Sequence, residues 1–180
     1  MATLEWQLRD AHESGVASLS LPLTGDAARS LLRGQTPASP LKAAITEPGR
    51  LADLLGLGWA SLYALSPNLS AAVANWPGVS LTAVGIAGGP NGYQALGVTG
   101  RCGAVDYEKS SEVRRIGRFV RLRGLHVDEP TEAVDFAVPA NRETILISSR
   151  AADLIVRTGF NNVRIVPLDA VEFDVDPQTI

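Results

Sequence analysis

An α+β fold, a mixed β-sheet carrying short packed helices, follows from three features of this 180-residue chain. Two stretches, SLYALSPNLSAAVANWPGVSLTAV at 61–84 and TILISSRAADLIVRTGFNNVRIVPL at 144–168, each run an apolar strand into a serine, an amphipathic segment, a turn and a second apolar strand. Further short alternating runs are scattered between and around them. No helical pattern is long enough to dominate the chain.

In the first unit, Trp59 to Leu65 reads as a strand. Ser66 is placed to cap the helix that follows, and Pro67 suits its first position, where an N–H would have no helical partner. Leu69, Ala72, Val73 and Trp76 then fall at i, i+3, i+4 and i+7, one helical stripe, and Pro77-Gly78 stops it. The second unit keeps these offsets with Ser148 as cap, Ala151, Leu154, Ile155 and Thr158 as stripe, and Gly159 as the left-handed stop. Its turn, through Asn161-Asn162, is two residues longer before the returning strand of Val163, Ile165 and Pro167, the counterpart of Val79, Leu81 and Ala83. Helices this short need a sheet to lie on, so the two units predict one shared sheet.

The remaining elements follow in order. SLSLPL at 18–23 alternates Leu19, Leu21 and Leu23 as a strand, and Pro22 assigns it to an edge. DAARSLLRG is a helix candidate, capped by Thr24 or Asp26 and closed by Gly34; PGRLADLLG is a second, with Pro48 in its first turn and Gly56 at its stop. QTPASP between them is a loop. GGPNGYQALGV predicts a hairpin turning at Pro90-Asn91-Gly92, and DYEKSSEVRRIG is polar and irregular. RFVRLRGL reads as a strand with Arg121 and Arg123 on one face, and VDFAV at 134–138 and AVEFDV at 170–175 complete the strand set.

Composition narrows the function classes. The formal charge of -3 and pI near 5.4 oppose broad attraction to nucleic acid, and aromatic content of 6% leaves few platforms on which single-stranded bases would stack. No uncharged apolar run reaches the roughly 18 residues that cross a bilayer. The N-terminal MATLEWQLRDAHESG carries Glu5, Asp10 and Glu13 where a secretory leader would be basic and then apolar, so no leader is expected there. Cys102 is the single cysteine, which excludes an internal disulfide and suits a reducing compartment or one indifferent to redox state. The glycine-rich GIAGGPNG is followed by strand-like alternation and no Gly-Lys-Ser/Thr, so it reads as a turn rather than a phosphate loop. No cofactor or metal site is expected.

Two histidines are present, His12 and His126, and neither sits in a nucleophile-elbow or Cys-His context. An enzyme of unrecognised type would use a cleft near His126 or Asp106. Arg114, Arg115, Arg118, Arg121 and Arg123 concentrate one sign of charge within ten positions; they read as a solvated strand face near the acids of DYEKSSE or VDEP, or as a contact surface. Glu172, Asp174 and Asp176 form an acidic stripe near the C-terminus, either a partner's docking site or the charge protection of an edge strand.

The order of LSPNLSAAV, a returning strand, YQALGV, VDYEKS, a strand ending RLRGL, VDFAV and ILISSRAADLIVRTGFNNVRIVPL resembles a bacterial polymorphic-toxin immunity protein family, the eleventh named group, formerly a domain of unknown function. The resemblance runs from Ser61 to Leu168. It implies one immunity-protein-like domain over 1–180, with 59–180 the family-like part and 1–58 an N-terminal part that matches less clearly. It also implies a cytoplasmic, non-enzymatic protein that binds and neutralises a cognate toxin protein, without cofactor. Asp106 and Ser110 are polar positions within the resemblance; with Arg118, Arg121, Arg123, Glu172 and Asp174 they are the candidate partner-binding residues.

Overall fold

A computed structural model describes residues 3–130 and 132–179; Met1 and Ala2, at the head of the N-terminal stretch read above, lie outside them. Among the described residues the chain forms fourteen strands and three α-helices. The strands are β1 (Leu4–Asp10), β2 (Ser18–Ser20), β3 (Leu41–Glu47), β4 (Leu54–Gly56), β5 (Tyr63–Leu65), β6 (Val79–Ile86), β7 (Gln94–Val98), β8 (Arg101–Cys102), β9 (Ser111–Ile116), β10 (Phe119–Arg123), β11 (Phe136–Pro139), β12 (Ile145–Ser148), β13 (Val163–Pro167) and β14 (Glu172–Val175). The helices are α1 (Gly25–Leu32), α2 (Pro67–Val73) and α3 (Ser149–Thr158). This is the α+β class with mixed sheets.

Strands assemble into three sheets, in the orders β2-β3-β6-β7-β5-β4, β13-β1-β12-β11-β8 and β14-β10-β9. The five-stranded sheet is the middle layer. Phe136, Val138, Ile145 and Ile147 point to a core shared with the six-stranded sheet and the three helices, while Ala137, Leu146 and Val166 point to a second core against the three-stranded sheet. Burial on both faces explains why β11 and β12 read as unbroken apolar runs. β1 serves both cores by a different device: a bulge between Leu4 and Trp6 breaks the alternation, so Leu4 packs in the second core and Leu8 in the first. The six-stranded sheet curls until its end strands touch, with the Leu21 N–H donating to Leu57 O at 3.1 Å.

The two similar units do not share a sheet; each has its own, and what they share is the core between them. β5 and β6 both run antiparallel to β7, which lies between them, and β12 and β13 both run antiparallel to β1, which lies between them. Leu69 and Val73 of α2 and Ala151 and Ile155 of α3 are buried in the same cluster. The correspondence extends upstream of the serines. Ser66 donates through its hydroxyl to Asp53 Oδ1 at 2.6 Å and Ser148 to Asp135 Oδ1 at 2.5 Å, each across 13 residues. The serine amides donate to the same aspartates' carbonyls, at 2.8 and 3.0 Å. Each hydroxyl in turn accepts the helix-capping N–H, from Leu69 or Ala151, at 3.3 Å.

The units also brace each other reciprocally. The Asp135 N–H donates to Pro77 O at 2.9 Å, in the turn of the first unit, and the Asp53 N–H donates to Asn161 Oδ1 at 3.0 Å, in the turn of the second. Gly78 and Asn162 occupy the next position of each turn, both with positive φ (92° and 56°), and their carbonyls accept from Thr99 N–H and Ala11 N–H at 2.9 and 3.0 Å. The segments β4 to β6 and β11 to β13 are therefore two mutually braced copies of a strand, strand, helix, strand unit. The first copy takes its threading strand, β7, from the hairpin that follows it; the second takes it from the far end of the chain, β1.

Other expectations fare unevenly. α1 forms with Thr24 as its cap, and the hairpin between β6 and β7 turns at residues 87–93. The second helix candidate, 48–56, is no helix: Leu54–Gly56 is β4, and Asp53 is held by Ser66 and Asn161, which pins an extended backbone there. The strand placed at Trp59–Leu65 begins only at Tyr63, after Ser61 turns the chain with φ 54°. The polar 106–117 stretch is a 3₁₀ turn at Tyr107–Lys109 and then β9, not irregular chain.

Candidate protein-binding surface

Outside the duplicated frame stands the three-stranded sheet. Its inner face carries Val120, Leu122, Phe173 and Val175, all buried in the second core. Its outer face carries the arginines and acids singled out from the sequence, and the register places them opposite each other: Arg121 faces Asp174 and Arg123 faces Glu172. Arg121 grips Asp174 with two hydrogen bonds of 2.7 Å, Arg123 Nε donates to Glu172 Oε1 at 3.1 Å, and Arg118 lies 3.5 Å from Asp176. The acids that answer the arginines thus come from the C-terminal strand, not from VDEP; within DYEKSSE only Glu112 takes part, bound to Arg115 at 3.0 Å. Hydrogen bonds from Arg121 and Arg123 hold the Asp174 and Glu172 carboxyls below their ordinary range, and Asp174 raises the Arg121 guanidinium above its own. The basic cluster and the acidic stripe are one neutralised ladder rather than two opposed patches.

Asp106 and Ser110 sit at the root of this sheet and serve the backbone. Asp106 Oδ1 accepts the Glu108 N–H at 3.1 Å, and its Oδ2 lies 2.9 Å from Lys109 Nζ, whose hydrogen bond is the chief cause of the lowered Asp106 pKa. Ser110 donates through its hydroxyl to Gly124 O at 2.6 Å, closing the open end of the hairpin.

β9 differs from every other strand. Nine consecutive residues, Ser111 to Phe119, are exposed, and Val113, Ile116 and Phe119 are 43, 41 and 38% accessible. Ile116 and Phe119 face each other across the Gly117-Arg118 turn, and the Arg118 guanidinium lies 4.9 Å from the Phe119 ring centre. Large exposed apolar side chains gathered at one tip mark a contact site more than scattered ones do.

Of the clefts that gather titratable groups, two bear on the histidines. Asp106 and His126 line one of about 510 Å³ with Glu5, Trp6, Lys109 and Asp169, and there the Asp106 N–H donates to the His126 carbonyl. The other, of about 370 Å³, contains His12, with Nε2 3.1 Å from Asp10 Oδ1, together with Arg9, Tyr63, Arg142 and Glu143. Burial, and then the Asp10 carboxylate, push the Tyr63 hydroxyl up to about 12. The histidine with a carboxylate partner is His12, which sequence spacing did not single out because Ser61 to Tyr63 and Arg142 to Thr144 reach it only through the fold. Among the described residues, no three His, Cys, Asp or Glu side chains converge as metal ligands, and no helix is long and apolar enough to cross a membrane. No known protein-family model matches the chain, and no curated protein matches it.

Proposed function

We propose that this chain is an immunity-type binding protein, acting in the cytoplasm, that neutralises a cognate toxin protein by direct contact and without chemistry of its own. The observation that carries this reading is the three-stranded sheet. It is anchored on one face by buried apolar side chains, carries cross-strand ion pairs on the other, and is edged by a strand whose residues are all exposed. A rigid frame that presents an ordered, uncovered element suits recognition by shape and charge, with affinity concentrated in a few central side chains. The resemblance of residues 61–168 to an immunity family supplies the partner class.

Titration of the protein with the toxin domain encoded by the adjacent gene tests the reading. A complex of fixed stoichiometry and restored growth on coexpression are expected; absence of binding at micromolar concentration overturns it.

A further inference from the structure

We infer that the tip of the β9–β10 hairpin is the anchor of the partner contact and that it seats in an acidic protein surface surrounding an apolar pocket. The inference rests on the binding reading above and specifies its chemistry.

Three observations carry it. First, the hairpin contributes little that the fold requires beyond Val120 and Leu122: Glu112 and Arg115, opposite those two core residues, are charged and bound to each other. The exposed Val113, Ile116 and Phe119 gain nothing from the core, and leaving large apolar groups in water is unfavourable unless something covers them.

Second, the charge pattern is unfinished at one position. Of the five arginines on the hairpin, Arg115, Arg118, Arg121 and Arg123 have carboxylate partners, whereas Arg114 has none among the described residues. Arg114 also stands directly across from Arg121, and like charges in that relation destabilise a strand pair. A surface needing only solubility would place an acid there. Among the described residues the Arg114 guanidinium makes no hydrogen bond or ion pair; its charge only adds to the field that lowers the Asp174 and Glu172 pKa values, and its fork stays open to a carboxylate brought by a partner.

Third, the combination at the tip is the one that concentrates binding energy at interfaces: an aromatic ring and an aliphatic side chain facing each other, with Arg118 stacked on the ring and Arg114 beside them. Carboxylates on the partner would accept from Arg114 while Phe119 and Ile116 fill the apolar seat, with Arg118 held over the ring and beside Asp176. A membrane surface fits less well. Attraction to anionic lipid grows with each cation near the surface, and here the guanidinium groups other than Arg114 are already neutralised while the whole chain carries -3.

The test uses the full-length protein and the adjacent-gene toxin domain. Phe119→Ser combined with Arg114→Glu is expected to weaken binding roughly 100-fold or more, and Arg114→Glu alone about 10-fold with a flatter salt dependence. Lys42→Glu, an equal charge reversal on an exposed position of β3, serves as the control and is expected to leave affinity within about twofold. All three substitutions fall on exposed residues, so unchanged thermal melts separate lost contact from lost fold. Wild-type binding that the hairpin variants retain overturns the hairpin assignment and leaves the toxin reading standing. No wild-type binding overturns both. A dimer of the chain alone that Phe119→Ser dissolves, or sedimentation of the wild type with anionic phospholipid vesicles, assigns the tip to another occupant and overturns the proposal.

Discussion

Asp135 has no accessible surface, yet its side chain is a carboxylate. Burial alone raises its pKa, but hydrogen bonds from Arg150 and from the Ser148 hydroxyl lower it by more, and the folded value lies below the ordinary one. A depressed folded pKa contributes stability that is fully present above the unfolded value of about 4 and is lost as pH falls through the folded value. Thermal melts from pH 7 to pH 2 should therefore show an acid loss that Asp135→Asn reduces, at the expense of about 2 to 3 kcal/mol at neutral pH as its charge-assisted bonds disappear. An unchanged acid limb in the variant would contradict this. Cys102 gives a second residue-scale expectation. Burial pushes its thiol up to about 11, so at pH 8 a thiol reagent should label it only as fast as the protein opens, and rapid labelling of the native state would refute the packing described.

At the scale of elements, the serine caps and apolar stripes were readable because they are local. An N-cap acts on the amide three residues on, and a stripe recurs within two turns. The aspartates that clamp those serines were not readable, since Asp53 lay inside an apparent helix and its bond to Ser66 exists only once β4 and β5 pair. β9 is not legible in the sequence for a related reason: a strand exposed on all sides has no apolar alternation. The turns after α2 and α3 make a sharper test. Gly78 has φ 92°, and a Cβ there would collide with the Phe136 carbonyl oxygen of the other unit, so Gly78→Ala should destabilise the fold by more than about 3 kcal/mol in denaturant melts. Asn162, its counterpart, uses the same space differently: its Nδ2 donates to Leu54 O at 2.7 Å and its Oδ1 accepts the Glu13 N–H at 3.0 Å. Asn162→Ala should then cost about 1 to 3 kcal/mol through unsatisfied partners rather than through collision.

For the molecule as a whole, the threading of the second unit makes β1 a central strand although it lies at the chain's start. It carries Leu8 into one core and Leu4 into the other and separates β12 from β13. Deleting residues 1–11 should abolish cooperative unfolding of all three sheets, not trim an end, and a truncated chain that melts as sharply as the full one would refute the role assigned to β1. Hydrogen exchange should rank the sheets in the opposite sense at the hairpin, with the β9 amides outside the β10 ladder exchanging fastest.

By itself the sequence determined the class of fold, the two capped helices, the buried positions Leu69, Val73, Ala151 and Ile155 of their stripes and the arginine-bearing strand, because each depends on spacing within one or two turns or along one strand. Thr158 at the end of the second stripe is exposed, and Trp76 lies beyond α2. Only the tertiary structure decided that the units occupy separate sheets with β1 threaded into the second, that the arginines face acids about fifty residues away, and that among the described residues Arg114 makes no ion pair while the other four hairpin arginines do. Those outcomes depend on strand order and register, which are set by how two cores close around one middle layer and leave no trace in any single stretch of chain.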